Sequence, residues 1–125
     1  MRVCLDVSHS KLACNHLRWS FHELLQTVGP YIAHLHLADA SGVDGEGLQI
    51  GEGDVDWVEV CGTLDRVAPG AGFIPEIWQG HKNDGEGFWI ALDRLEQAWS
   101  RVKQGGAGEF SGAQEVRRSS AAGSA

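Results

Sequence analysis

No apolar stretch in these 125 residues runs beyond a few positions. A bilayer crossing needs roughly 20, and the N-terminus lacks the charged-then-apolar layout of a signal peptide. No membrane partner and no secretion are therefore expected. Basic residues are also few, 10 against 17 acidic, for a formal charge of −7. Such a chain repels phosphate backbones unless a local basic patch compensates. The one basic cluster, Arg117-Arg118, stands near the C-terminus, so no nucleic-acid partner is expected. Cys4, Cys14 and Cys61 are an odd number without a C-x-x-C pair. Neither a disulfide framework nor a cysteine-rich zinc site follows, and a reducing cytoplasm fits.

What is present is an ordinary globular composition, 42% hydrophobic and 22% charged, at a length suited to one domain. From Gly105 onward the chain turns to Gly, Ala and Ser with a lone Phe110. We expect a folded part over residues 1–104 and a disordered tail over 105–125. Within the folded part, three β-type runs alternate with three helical patterns, the signal of β/α units and a parallel sheet. The runs are Val3 to Val7, Tyr31 to Leu37 and Phe73 to Ile77. After a loop, Ser20 and Glu23 stand at capping-box spacing before Phe21, Leu24, Leu25 and Val28. Asp56 and Glu59 repeat that spacing before Val60, Cys61, Leu64 and Val67. Between them lies a Gly-rich loop, GVDGEGLQIGEG, with no G-K-[ST] to make it a P-loop. The last helix is predicted from Phe88 to about Val102.

This spacing suits a (β/α)8 barrel, which needs about 250 residues. Three units amount to a partial TIM barrel. A first strand starting at residue 3 leaves an unpaired edge, so the expected state is a piece of a larger barrel or a chain completed by assembly. An upstream barrel half or a homo-oligomer are the candidate partners.

Strand side chains alternate between faces. Parity groups Cys4 with Asp6, His34 with His36, and Ile74 with Glu76, opposite the mainly aliphatic positions. If the aliphatic face packs on the helices, Asp6, His36 and Glu76 point inward near the carboxyl ends of neighbouring strands. Barrel enzymes keep their sites there. Two carboxylates and an imidazole form a ligand set for a divalent metal, Mn, Co, Zn or Mg. His34 is placed as a hydrogen-bonded support for the ligands, and Cys4, deeper still, in the core. Glu52 is a candidate cap for the following helix.

The segments Asp6-Val7-Ser8-His9, His34-Leu35-His36-Leu37-Ala38-Asp39, Ile50-Gly51-Glu52-Gly53-Asp54 and Ile74-Pro75-Glu76 resemble the D-x-x-H, H-x-H-x-x-D, G-E-G and terminal Glu motifs of the xylose isomerase-like barrel superfamily. The match runs over roughly residues 3–100, in the order of the last three barrel strands. Sugar epimerases, ketose isomerases and endonuclease IV-type enzymes belong to that superfamily. The resemblance implies that Asp6, His36 and Glu76 bind a divalent metal and that His9 contacts substrate. A narrower resemblance, through FIPEIWQGHKNDGEGFW and GVDGEGLQIGEGDVDW, is to the barrel domain appended to some N-acetylneuraminate synthase-like proteins.

Two departures shape the expectation. A further metal-binding Glu, which the family carries on an earlier strand, would fall upstream of Met1. Endonuclease IV-type members place an Asp and a His where this chain has Gly45 and Gly47, so a multinuclear zinc site is not expected. The remaining chemistry is proton transfer next to a carbonyl through an enediolate, with the metal polarising the oxygen and Glu76 moving the proton. His9 is the candidate for a sugar hydroxyl. Trp78 is placed to stack on a sugar face, and His81 or Lys82 to hold an anionic group. The expected function is a metal-dependent sugar, or sugar phosphate, isomerase or epimerase. The alternatives are a non-catalytic barrel fragment or accessory domain of a sialic acid synthase-like protein, and, behind these, DNA repair of the endonuclease IV type.

Overall fold

In the computed structural model, which describes residues 1–106, β1 (Val3–Asp6) runs straight into α1 (Val7–Leu17). Asp6 makes the junction: its Oδ1 accepts the His9 backbone N–H at 2.9 Å, capping the new helix. The expected loop after β1 is thus a helix. Its apolar residues, Val7, Leu12 and Cys14, are spaced too irregularly among polar ones to announce a stripe.

In each of the two expected capping boxes the N-cap half forms. Ser20 Oγ accepts from Glu23 N at 3.2 Å and starts α2 (Phe21–Val28), which ends in a short 3-10 turn at Gly29–Tyr31. Asp56 Oδ1 accepts from Glu59 N at 3.2 Å and starts α3 (Trp57–Val67). The second β-type run becomes β2 (Ile32–Leu37), shorter by one residue at its start, and the third becomes the strand Gly72–Pro75, which begins one residue earlier and ends two residues earlier than expected. The final helix spans Lys82–Gly106, with left-handed backbone at Asn83, Asp84 and Gly85 separating its first turn from the regular part. Residues 107–125, and so most of the expected tail, lie outside the described residues.

The Gly-rich loop is not structureless. Asp39–Ser41 (β3) and Gly45–Leu48 (β4) pair antiparallel across a turn in which Gly42 has φ +63. With this ribbon counted, Gly72–Pro75 is β5 and Lys82–Gly106 is α4.

The main sheet has three parallel strands in the order β1-β2-β5. Its aliphatic face, Leu5, Leu35 and Leu37, is buried in one core with Leu25 of α2, Val60 and Leu64 of α3, and Leu95 of α4. Cys14 and Cys61 are buried there too, and burial pushes the Cys61 thiol up to about 12. The opposite face is open. Cys4, expected in the core, is exposed, and Ile74 is 47% exposed. No layer of the described chain covers that side of the strands. Among the described residues, no helix is long and apolar enough to cross a membrane.

One buried carboxylate organises the segment after β2. Asp39 is fully buried and its side chain accepts four N–H groups. Oδ1 takes Ala40 N at 2.8 Å and Val55 N at 3.0 Å. Oδ2 takes Gly51 N at 2.9 Å and the indole Nε1 of Trp57 at 2.9 Å. Gly53 passes so close that a Cβ there would sit 2.6 Å from Asp39 Oδ1, which only glycine avoids.

An amide at position 39 offers one acceptor oxygen and one donor nitrogen, so two of the four N–H groups would face another donor. Asp39→Asn should therefore cost roughly 3 kcal/mol of stability, read from urea denaturation followed by circular dichroism. A loss under about 0.5 kcal/mol, the range of ordinary surface substitutions, would show that this carboxylate does not organise the segment.

Candidate metal centre

Parallel register carries three chemically useful side chains to one end of the sheet. Asp6 pairs with His36 across β1 and β2, and Glu76 follows β5 directly, its backbone N–H donating to Leu37 O at 2.9 Å. His36 Nδ1 lies 2.7 Å from Glu76 Oε2 and 4.0 Å from Asp6 Oδ2. One donor atom from each of the three residues lies within 4.8 Å of the others, the only such grouping among the described residues. Donors bonded to one ion at about 2.0–2.2 Å stand some 3–4 Å apart, so this spacing suits a single divalent cation. The N/O donor set is compatible with Mn, Co, Zn or Mg. The side chains of Asp6 and His36 are 31% exposed and that of Glu76 is 54% exposed, so the centre opens to solvent.

Asp6 serves two purposes with its two oxygens. Oδ1 is occupied by the start of α1, where it meets the backbone N and the ring Nδ1 of His9, the latter at 3.2 Å. Oδ2 is left facing His36. Around this centre, Cys4 Sγ is 3.6 Å from His36 Nε2. The ring of His34 meets that of His36 edge-on, with centroids 5.4 Å apart. His34 thus stands beside the proposed ligand, as the strand parity predicts.

His9 belongs to the first turn of α1 rather than to a loop. Its Nε2 contacts Glu46 Oε2 on β4, while Nδ1 faces Asp6. The hydrogen bond to Glu46, followed by that to Asp6, raises the pKa of this imidazole above its ordinary 6.5. Ser8 beside it donates to Asp39 O at 2.9 Å and accepts from Gly47 N at 2.9 Å, which fixes β4 over the start of α1. Gly47 O in turn accepts from Trp78 N at 2.9 Å, bringing the segment after β5 to the same place.

The result is an open cleft of about 370 Å³, lined by Asp6, His9, Glu46, Glu76, Trp78 and Gln79 among others. That size falls within the range of small-molecule sites, about 300–1,000 Å³. Trp78 is 75% exposed at its rim. His81 and Lys82 are exposed and do not line the cleft; the left-handed Gln79 turns the chain away before them. Glu52, expected to cap α3, instead lies 3.9 Å from Arg94, and Asp56 holds the cap. Gly47 has φ +66, and a Cβ there would lie 3.4 Å from Trp78 Cβ, so a bulky ligand residue at this position would be strained. Glu46 and Asp39 are the residues whose parts the sequence did not assign. A three-residue connection containing Gly42 is a hairpin signal, and reading it as one puts Glu46 on a strand.

A family model described as Xylose isomerase-like TIM barrel matches residues 1–98. The match is to the family as a whole and does not single out the N-acetylneuraminate synthase-like group. Over 65 residues the chain is 37% identical to Uncharacterized protein MJ1311 of Methanocaldococcus jannaschii, covering 52% of this chain and 22% of that protein. The chain therefore spans about a fifth of the length of this curated relative.

The raised pKa of His9 carries a sign. A folded-state value above 6.5 means that the His9–Glu46–Asp6 contacts add stability below 6.5 and lose it as pH rises through the folded pKa. A ring-proton NMR titration should place His9 above 6.5, and Glu46→Gln should lower it. The thermal midpoints of the wild type and Glu46→Gln should differ most in mild acid and converge in alkali. A His9 titration at or below the ordinary value would disprove the pairing.

Proposed function

Because the chain belongs to the xylose isomerase-like TIM-barrel family, we propose that it forms the last three β/α units of a (β/α)8 barrel that isomerises or epimerises a sugar. The observation that supports this reading is the convergence of Asp6, His36 and Glu76 at the carboxyl ends of three neighbouring parallel strands. These three residues would hold one divalent cation, Mn, Co, Zn or Mg. Such an ion supplies Lewis-acid polarisation of a carbonyl oxygen.

The protein's own groups do the rest. Glu76, the more exposed of the two carboxylates, removes a proton from the carbon next to the carbonyl and returns it to the neighbouring carbon. Delivery to the opposite face, which epimerisation needs, would fall to a second acid from the strands that complete the barrel. His36 Nδ1, 2.7 Å from Glu76 Oε2, keeps the imidazole and the Glu76 carboxylate turned to the same point, where the cation would be held. Trp78 covers the apolar face of the sugar ring, and His9, engaged at both ring nitrogens by Asp6 and Glu46, holds the Glu46 carboxylate beside the sugar's hydroxyl groups. Among the described residues β1 and β5 each have a single strand neighbour, β2. Further strands, from a second copy or from an upstream barrel half, would cover these edges and the open inner face. The three free thiols accord with a reducing cytoplasm.

A second reading, a barrel portion that keeps its ligands and turns nothing over, is favoured by the 22% coverage of the archaeal relative. An accessory domain of a sialic acid synthase-like protein is one form of it.

Cobalt titration followed by visible absorption and native mass spectrometry tests the centre. One ion per three-residue site is expected, and His36→Ala should weaken uptake by more than about tenfold. Glu76→Gln should abolish exchange of the substrate's carbon-bound proton with solvent deuterium, since a general base contributes roughly 10²–10⁴-fold. Cobalt uptake indifferent to His36→Ala would rule out the metal centre. Uptake without proton exchange on any ketose tried would favour the second reading.

A further inference from the structure

Glu46 is not one of the three metal-ligating residues, yet it forms a wall of the cleft beside them. We propose that Glu46, locked against His9, sets this cleft for the neutral hydroxyl groups of an unphosphorylated sugar and turns away a phosphorylated one. The inference deepens the sugar reading given above and rests on it.

A phosphate group needs donors: lysine, arginine, a cluster of backbone N–H groups or a free imidazolium. Among the described residues no lysine or arginine lines the cleft. His9 is the residue placed to replace them, but both of its ring nitrogens are already engaged, Nδ1 on Asp6 and Nε2 on Glu46. A guanidinium, that of Arg94, lines the neighbouring cleft that shares Glu46 and Trp78. It is held by Ile50 O at 3.0 Å and Glu52 at 3.9 Å. His81 and Lys82 do not reach the lining. Three carboxylates, Asp6, Glu46 and Glu76, face the cleft instead.

With Asp6 and Glu76 spent on the cation, the carboxylate of Glu46 remains to accept from sugar hydroxyls and to repel a dianion at close range. A site discriminates as much by what it repels as by what it attracts. Glu46 is the one of the three carboxylates outside the metal-ligating set, so selectivity can be changed there without removing a ligand. Its place is fixed by the ribbon: Gly47 next to it is bonded to Ser8 and to Trp78.

The test is a pair of NMR titrations of the full chain at one fixed Mg²⁺ concentration. D-Fructose and D-fructose 6-phosphate serve as probes, and the Trp78 indole and His9 ring signals as readouts. The wild type should bind the neutral ketose at least about tenfold more tightly than its phosphate. Glu46→Gln should shrink that ratio toward one, and Glu46→Lys should invert it, with circular dichroism unchanged in both. Equal or tighter binding of the phosphate by the wild type, or a ratio indifferent to both substitutions, overturns the proposal and leaves the sugar reading standing. Absence of any response to either ketose overturns the sugar reading and the proposal with it, whether or not the chain takes up metal.

Discussion

The carboxylate of Asp39 is the constraint on which the surroundings of the candidate centre depend. It is a buried carboxylate that forms no salt bridge among the described residues, and four N–H donors from the ribbon, a glycine turn, the loop before α3 and an indole stabilise it. Burial of such a group is tolerable only when its lone pairs are filled. That requirement fixes where the chain goes between β2 and α3: Ala40, Gly51, Val55 and Trp57 must all present donors to one point. The backbone carbonyl of Asp39 also accepts from Ser8, which ties α1 to the same point. Glu46, Gly47 and through them Trp78 are placed by this arrangement rather than by any preference of their own.

Asp6 links folding and chemistry more directly. One oxygen ends β1 by capping α1, and the other faces His36. A residue that caps a helix is held in one rotamer by the cap, which reduces the entropy lost on binding an ion. The junction without a loop also sets His9 in the first turn of α1, close enough to touch both Asp6 and Glu46. The cleft is therefore defined on one side by a helix start, on another by a ribbon, and on a third by the segment after β5.

Much of this was legible from the residues. The β/α alternation, both serine and aspartate caps, and the parity that aims Asp6, His36 and Glu76 at one end of the sheet agree with the structure. α1 was missed because its apolar residues do not follow a helical stripe. The β3–β4 ribbon was missed because its glycines read as loop, whereas Gly42 makes the turn of a hairpin. Cys4, which parity groups with Asp6, was placed in the core for its depth along β1, but the inner face has no covering layer among the described residues and the thiol is exposed. Burial depends on what packs against a residue, and a strand pattern alone does not contain that information.

The sequence by itself determined the sheet, its helical layer and the three residues that meet at its end, because period and parity are local properties of strands and helices. It also determined the formal charge of −7. Only the tertiary structure decided that His9 is gripped at both ring nitrogens, that Glu46 faces the cleft and that Lys82 does not. Those facts rest on contacts between residues as far as 37 positions apart. They follow from where Asp39 gathers its donors, and no local pattern specifies that.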